Sequence, residues 1–293
     1  MQALTLNNGL AVVTGAASGI GAALALQLAD RGCHLALADI NAAGLQAVAE
    51  QARAKGVKFG VKVSTHVLDF AKPESADELL AAVQAAHGRT TVLINNAGVA
   101  LGGTFGQVAA ADFDWLMSIN FGAVVRLTRA FMPLLQAAPA AQIVNISSIF
   151  GIIAPPGQTA YCSAKFAVRG FSESLRHELV MADSPVRLTL VHPGGVRTGI
   201  AENARVPAGA SAADVAAQRE LARQALVLPP EAAAARILQG IEAREPRVIV
   251  GKDAMQAVWL QRLFPVRYWS FVARAIARRA RQGPKAESPQ VKD

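Results

Sequence analysis

Tyr161 and Lys165 stand four residues apart in Tyr161-Cys162-Ser163-Ala164-Lys165, inside a stretch of helical pattern that runs on through Val168, Leu175 and Leu179. A spacing of four puts a phenol and an ammonium on one face of a helix. An ammonium about 5 Å from a phenolate, at an effective dielectric near 20, stabilises the anion by roughly 3 kcal/mol, enough to bring a phenol pKa of about 10 down by about 2 units. The pair is therefore read as a proton-exchange device for neutral pH. The same spacing arises by chance in many helices, so the pair needs company before it means catalysis.

A second constellation lies at the other end of the chain. Thr14-Gly15-Ala16-Ala17-Ser18-Gly19-Ile20-Gly21 follows a short apolar run and opens a helical pattern. Glycines there permit a tight turn and let the backbone approach a ligand. They also leave free N–H groups and the positive end of a helix facing an anion such as a pyrophosphate. Asp39 ends the next apolar run, where a carboxylate accepts hydrogen bonds from the two hydroxyls of an adenosine ribose. Glycine turn and acid together predict a dinucleotide. Like charges about 4 Å apart at that dielectric cost roughly 4 kcal/mol per pair, and Ser18, Ile40 and Asn41 stand where a phosphate-binding cation would be needed. NAD is therefore expected in preference to NADP. Read structurally, Asp39 is the N-cap of the following helix.

Elements must hold these two constellations together. From Gly9 to about Gly251, short apolar runs alternate with longer stretches of helical period, the signature of β-α-β units around a parallel sheet covered on both faces. The predicted strands are Leu10 to Thr14, His34 to Asp39, Phe59 to Leu68, Thr91 to Asn95, Gln142 to Ser147, Arg187 to Val191 and Arg247 to Val250. Ile20 to Arg31 and Glu74 to His87 are among the predicted helices, the latter with Pro73 at its start. The expectation is one Rossmann-type, doubly wound domain of seven mainly parallel strands over residues 1–251. Residues 194–228 are too long for a simple connection and are read as a lid. Residues 252–282 form a separate basic helical extension in two pieces divided at Pro265, and 283–293 read as a disordered end.

Taken together, the motifs resemble the short-chain dehydrogenase/reductase family. The glycine turn, Asn95-Asn96-Ala97-Gly98 after the fourth strand, Asn120 in the fourth helix, Ser147-Ser148 ending the fifth strand, Tyr161 with Lys165, and Pro193-Gly194 after the sixth strand occur in that family's order and spacing. The resemblance covers residue 7 to about 251. It implies that Tyr161 is the general acid/base and that Lys165 lowers its pKa and holds the nicotinamide ribose. Ser148, thirteen residues before the tyrosine, would hydrogen-bond the substrate oxygen, and Asn120 would hold a water linking the lysine to solvent. It further implies cofactor contacts at Gly15, Ser18, Gly19, Ile20, Gly21, Asp39, Asp69, Asn96, Ala97, Gly98, Tyr161, Lys165, Pro193, Gly194, Val196 and Thr198, with Asp69 at the adenine. The implied reaction moves hydride between NAD and a secondary alcohol or ketone, in a homodimer or homotetramer. A catalytically silent nucleotide-binding scaffold of the same fold is the alternative; loss of Ser148, Tyr161, Lys165 or Asn120 would be its sign, and none is lost.

Composition sets the outer bounds. A chain of 293 residues that is 52% hydrophobic and 17% charged can bury a sizeable core. Its two cysteines, Cys33 and Cys162, exclude a disulfide scaffold and a four-thiolate site, and suit a cytoplasmic address. The histidines show no ligand spacing, so no metal is expected. Residues 1–251 hold 20 Lys/Arg against 18 Asp/Glu and the remainder nine against three, so the net +8 divides into +2 and +6. In the basic end Arg267, Arg274, Arg278 and Arg281 fall on one helix face, with Trp269, Val272 and Ile276 largely opposite. That pattern suits an anionic membrane surface, through 255–281, on the inner face of the membrane; it equally suits covering the cleft or a neighbouring subunit. Nucleic acid is not an expected partner, since the basic surface is too small.

Overall fold

The computed structural model describes residues 4–274. The strands are β1 (Leu10–Thr14), β2 (His34–Asp39), β3 (Val63–Val67), β4 (Val92–Asn95), β5 (Ala141–Ile146), β6 (Val186–Pro193) and β7 (Arg247–Val250). They form one sheet in the order β3-β2-β1-β4-β5-β6-β7, and every neighbouring pair is parallel. The doubly wound sheet expected from the sequence is therefore present, wholly rather than mainly parallel.

Alternating side chains explain why both faces are covered. Leu10 and Val12 of β1 point to one side and Ala11 and Val13 to the other, and all four are fully buried. On the second side lie Leu24 and Leu28 of α1 (Gly19–Ala29), Leu45 of α2 (Ala42–Lys55), and Ile237 and Ile241 of α8 (Pro230–Glu242). The first side is closed by Leu79 and Val83 of α3 (Ser75–His87), Leu127 and Phe131 of α5 (Ala123–Ala137), and Val168 and Leu179 of α6 (Thr159–Met181). Each fully buried leucine contributes about 2 kcal/mol, so a parallel sheet with two apolar faces is stable only with helices on both.

Three elements depart from the sequence expectation. The third strand begins at Val63, not Phe59: Val57–Phe59 is a 3-10 turn and Gly60 turns left-handed at φ 64°, which breaks the extended run. Asn120 lies within a π-helical turn, Ser118–Gly122, joining α4 (Ala110–Met117) to α5. The long connection between β6 and α8 is not bare loop: it contains α7 (Ala212–Ala225), capped by the Ser211 side chain accepting from the Asp214 N–H.

After β7, Gly251 at φ 104° turns the chain into α9 (Lys252–Leu263), and helix resumes at Tyr268. Ala254, Ala257, Val258 and Tyr268 pack on Ile149, Ile152 and Ile153. The positions read in the sequence at Ile276, Arg278 and Arg281, and the 283–293 end, lie outside the described residues.

Candidate active site

Strand order reverses between β1 and β4, and in such sheets the carboxyl ends of the strands diverge there to leave a crevice. A cavity of about 970 Å³ occupies it. Of the residues singled out in the sequence, Gly15, Ser18, Gly19, Ile20, Asp39, Asn96, Gly98, Ser148, Tyr161, Lys165, Pro193, Gly194, Val196 and Thr198 line this one space. Gly21, Asp69, Ala97 and Asn120 stand outside its lining.

The glycine turn is built for close approach. Gly15 is left-handed at φ 64°, and a Cβ there would lie 2.8 Å from the Ala97 Cα. Gly21 serves packing rather than contact with a ligand, because a side chain on it would strike the Gly15 carbonyl. The Asn95 to Gly98 segment is pinned to this turn. Asn96 donates from Nδ2 to the Thr14 and Gly15 carbonyls, and the Asn96 and Ala97 N–H groups donate to Thr14 Oγ1. Asn95 donates instead into the core, to Thr128 and Asn145. These side chains therefore replace the ladder where β1 and β4 part.

Asp39 closes the far end of the cavity. Its carboxylate accepts from the Ala17 N–H at 3.0 Å and the Asn41 N–H at 2.9 Å, which fixes it against the turn. It is not the cap of α2; the Asn41 side chain is, accepting from Gly44 N–H. Neighbouring Ile40 is 66% exposed, and no lysine or arginine joins Asp39, Ile40 and Asn41 in the lining of this end. Asp69 spends Oδ1 on the Ala71 N–H at 2.9 Å, which shapes the turn after β3 and leaves the carboxylate behind the cavity wall.

The proton-handling residues meet at the other end. The Tyr161 hydroxyl lies beside the Ser148 side chain, and its ring stands edge-on to Phe150 with centroids 6.1 Å apart. Lys165 places Nζ 5.6 Å from the Tyr161 ring centroid and donates to the Ile146 carbonyl at 3.1 Å. The acidity argued from spacing is not what this arrangement produces by itself. Burial pushes the Tyr161 phenol up to about 12, with the neighbouring Ser148 side chain opposing, and burial brings the Lys165 ammonium down to about 8. Desolvation disfavours both charged forms, and the lysine is directed to a carbonyl rather than to the phenol oxygen. The Asn120 side chain accepts from Val99 N–H at 2.8 Å and donates to the Val99 carbonyl at 2.9 Å, which leaves it one N–H and one lone pair. Gly98 opens beside it: a Cβ there would sit 3.4 Å from Asn120 Oδ1 and 3.6 Å from Lys165 Nζ.

Several wall residues have partners that the sequence does not mark. Arg205 of the lid lines the cavity, yet its charge is answered by Asp112 at 2.8 Å and its guanidinium lies 3.5 Å over the Trp115 ring. The lid meets the facing wall where Leu101 bridges to Arg205 and Gln218 reaches Gly102. Asp253 of α9 also lines the cavity. His192 is fully buried behind Ser148 and bonds its carbonyl through Nδ1 at 2.8 Å; burial lowers its pKa to about 4. Both thiols are buried and pushed up, Cys33 to about 12 and Cys162 to about 11, which leaves them inert as nucleophiles near neutral pH. Among the described residues no cluster of His, Cys, Asp and Glu has metal-binding geometry.

Known proteins share this plan. Residues 9–208 match the family model described as short chain dehydrogenase. The chain is 41% identical over 269 residues to a Mycobacterium tuberculosis protein, SadH, whose name carries the word oxidoreductase; the match covers 92% of this chain and 95% of that one. A Drosophila melanogaster dehydrogenase/reductase SDR family protein 7-like is 32% identical over 90% of this chain and 80% of its own length. Among solved structures, a short chain dehydrogenase/reductase from Burkholderia phymatum in complex with NAD superposes with TM-score 0.81 at 30% identity, covering 88% of this chain and 94% of that one. A metagenomic short-chain oxidoreductase in complex with NADP gives TM-score 0.66 at 30% identity, over 84% and 98%.

Proposed function

The chain belongs to the short-chain dehydrogenase/reductase family, and we propose that it is an NAD-dependent oxidoreductase interconverting a lipophilic secondary alcohol and its ketone. The observation that carries the proposal is the convergence of Ser148, Tyr161 and Lys165 with the glycine turn and Asp39 on one cavity. The residues fit the cofactor. A turn with no room for a side chain at Gly15 admits a diphosphate, and Asp39, held by two backbone N–H groups, keeps acceptor capacity for ribose hydroxyls. A 2′-phosphate beside that carboxylate meets like charge and, among the described residues, no cation at that end, which supports NAD over NADP.

When bound, NAD supplies the site that accepts or returns hydride. Tyr161 takes the proton of the substrate hydroxyl in oxidation and gives it back in reduction, while Ser148 orients the substrate oxygen. Lys165 remains largely an ammonium at neutral pH, with its pKa near 8, and holds positive charge on the tyrosine's side of the cavity. Asn120 fixes the Val99 backbone beside Gly98 and keeps one N–H and one lone pair for a water that links Lys165 to solvent. Substrate polarity follows from the lid: Val206, Pro207, Leu221 and Leu226 line the cavity and the Arg205 charge is paired with Asp112, which supports an apolar substrate, while Arg219, which also lines it, suits an acidic or phosphorylated end. We assign self-association to α6, which leaves Phe166, Val180 and Met181 exposed.

A panel of secondary alcohols followed by NADH absorbance tests the reading, with Tyr161→Phe as control. Normal turnover by that variant refutes the proton-transfer assignment; NADH binding without turnover of any alcohol or ketone favours the silent scaffold.

A second reading concerns where the enzyme works. No helix among the described residues is long and apolar enough to cross a membrane. Met255, Trp259, Leu263 and Val266 are nonetheless exposed beside Arg262, Arg267 and Arg274. This patch suits an anionic lipid surface on the cytoplasmic side. Cosedimentation with phosphatidylserine vesicles should fall in the Trp259→Glu, Leu263→Glu variant; unchanged sedimentation removes the reading.

A further inference from the structure

Beyond the family motifs, α9 reaches the site at Asp253. Asp253, in the first turn of α9, accepts the Gly195 N–H at Oδ2 over 2.7 Å, and its carboxylate lies against Gly194 and Gly251. Any side chain on Gly194 or Gly251 would strike it. The carbonyl of the same Gly195 accepts from Val227 N–H at 3.0 Å and Leu228 N–H at 2.9 Å. The Arg197 N–H donates to the Leu228 carbonyl at 2.8 Å, and Val196 bridges to Leu228. One glycine thus joins the start of the lid, the end of the lid and the C-terminal helix. A side chain on Gly195 would strike the Ala225 carbonyl, so the junction admits only glycine.

We infer that Asp253 is a positioning residue that latches the two ends of the lid beside the cofactor end of the cavity. The inference rests on the proposed site only in that Gly194 and Val196 line the same space. Removing the carboxylate leaves the Gly195 N–H without its acceptor and frees the 194–196 backbone to move with the lid. The rest of α9 holds Asp253 in place. Ala254, Ala257 and Val258 pack on Ile149, Ile152 and Ile153, and Tyr268 Oη accepts the Ala154 N–H at 2.8 Å. The latch is thereby fixed to the segment that follows Ser148.

The lid contains Arg197, Arg205, Arg219 and Arg223, so trypsin reports its opening in the full chain. Cleavage within 194–228 should rise about fivefold in Asp253→Ala, the effect of losing an exposed charge-assisted hydrogen bond. Asp253→Asn, which keeps an acceptor oxygen, should return the rate to within about twofold of the parent. NADH affinity, read by fluorescence titration, should fall in Asp253→Ala in the same proportion, with unchanged thermal midpoint. Equal trypsin rates in Asp253→Ala and the parent overturn the latch, whether or not the protein binds NADH. Failure of the parent and every variant to bind NADH refutes the cofactor reading alone, because trypsin cleavage of the lid is measured without the nucleotide and still supports or overturns the latch. A midpoint lowered equally in the Ala and Asn variants, with no change confined to the lid, assigns Asp253 to packing and also overturns the latch.

Discussion

Helices α6 and α7 both face the cavity, and they are held in opposite ways. α6 buries Ala160, Cys162, Ala164, Lys165, Val168, Ser172 and Leu179, whereas α7 buries none of its residues. The helix carrying the proposed acid/base chemistry is locked into the main core, so Tyr161 and Lys165 gain fixed positions at the cost of a desolvated ammonium. The helix that shapes the substrate half rests on hydrogen bonds at its two ends and a few wall contacts. The proposed chemistry, which tolerates no displacement, thus sits on the rigid element and the proposed substrate recognition on the one that can yield.

Four substitutions put this contrast to the test. Lys165→Met should lower turnover by about 10²- to 10³-fold, the size expected when a buried charge stabilising a reacting group is removed. Its unfolding midpoint should be no lower than the parent's, because the ammonium is desolvated; a fall in both together would make the lysine structural. His192 should matter chiefly through stability. The unfolded chain holds the imidazole proton below about pH 6.5 and the folded one only below about pH 4, so folding stability falls as pH drops from 6.5 through 4, by roughly 3 kcal/mol for this group. His192→Asn should flatten that limb in urea titrations at pH 4 to 7. Asp39→Ala should narrow the preference for NADH over NADPH by about tenfold in binding titrations; an unchanged ratio would show that selectivity lies elsewhere. Leu221→Ala, on exposed α7, should change stability by less than about 0.5 kcal/mol while raising KM for an apolar ketone about fivefold. A large stability loss there would erase the distinction between the two helices.

Legibility in the sequence follows the same division. The α6 pair, the glycine turn and Asp39 can be placed because each depends on local spacing: four residues along a helix, a turn at a strand end, an acid closing the next strand. The doubly wound sheet is legible for the same reason, since strands buried on both faces leave continuous apolar runs. Long-range partners carry no such mark. Asp253 meets Gly195 across 58 positions, and Arg205 meets Asp112 across 93, so neither the latch nor the neutralised lid arginine has a local pattern to betray it. Spacing alone counts the nearby charge and omits burial, which pushes the phenol up. The third strand reads too long because Phe59 and Val61 are apolar, although Gly60 between them turns left-handed.

The joined ends of the segment between Val196 and Leu228 make it a cassette. Bridged to each other, its two anchors already occupy the separation that any replacement must span. Grafting a different stretch between them then costs chain entropy only with the logarithm of its length, about 0.6 kcal/mol for each doubling. A library of transplanted inserts could be screened for new ketones on this scaffold while the sheet, the glycine turn and the tyrosine remained untouched.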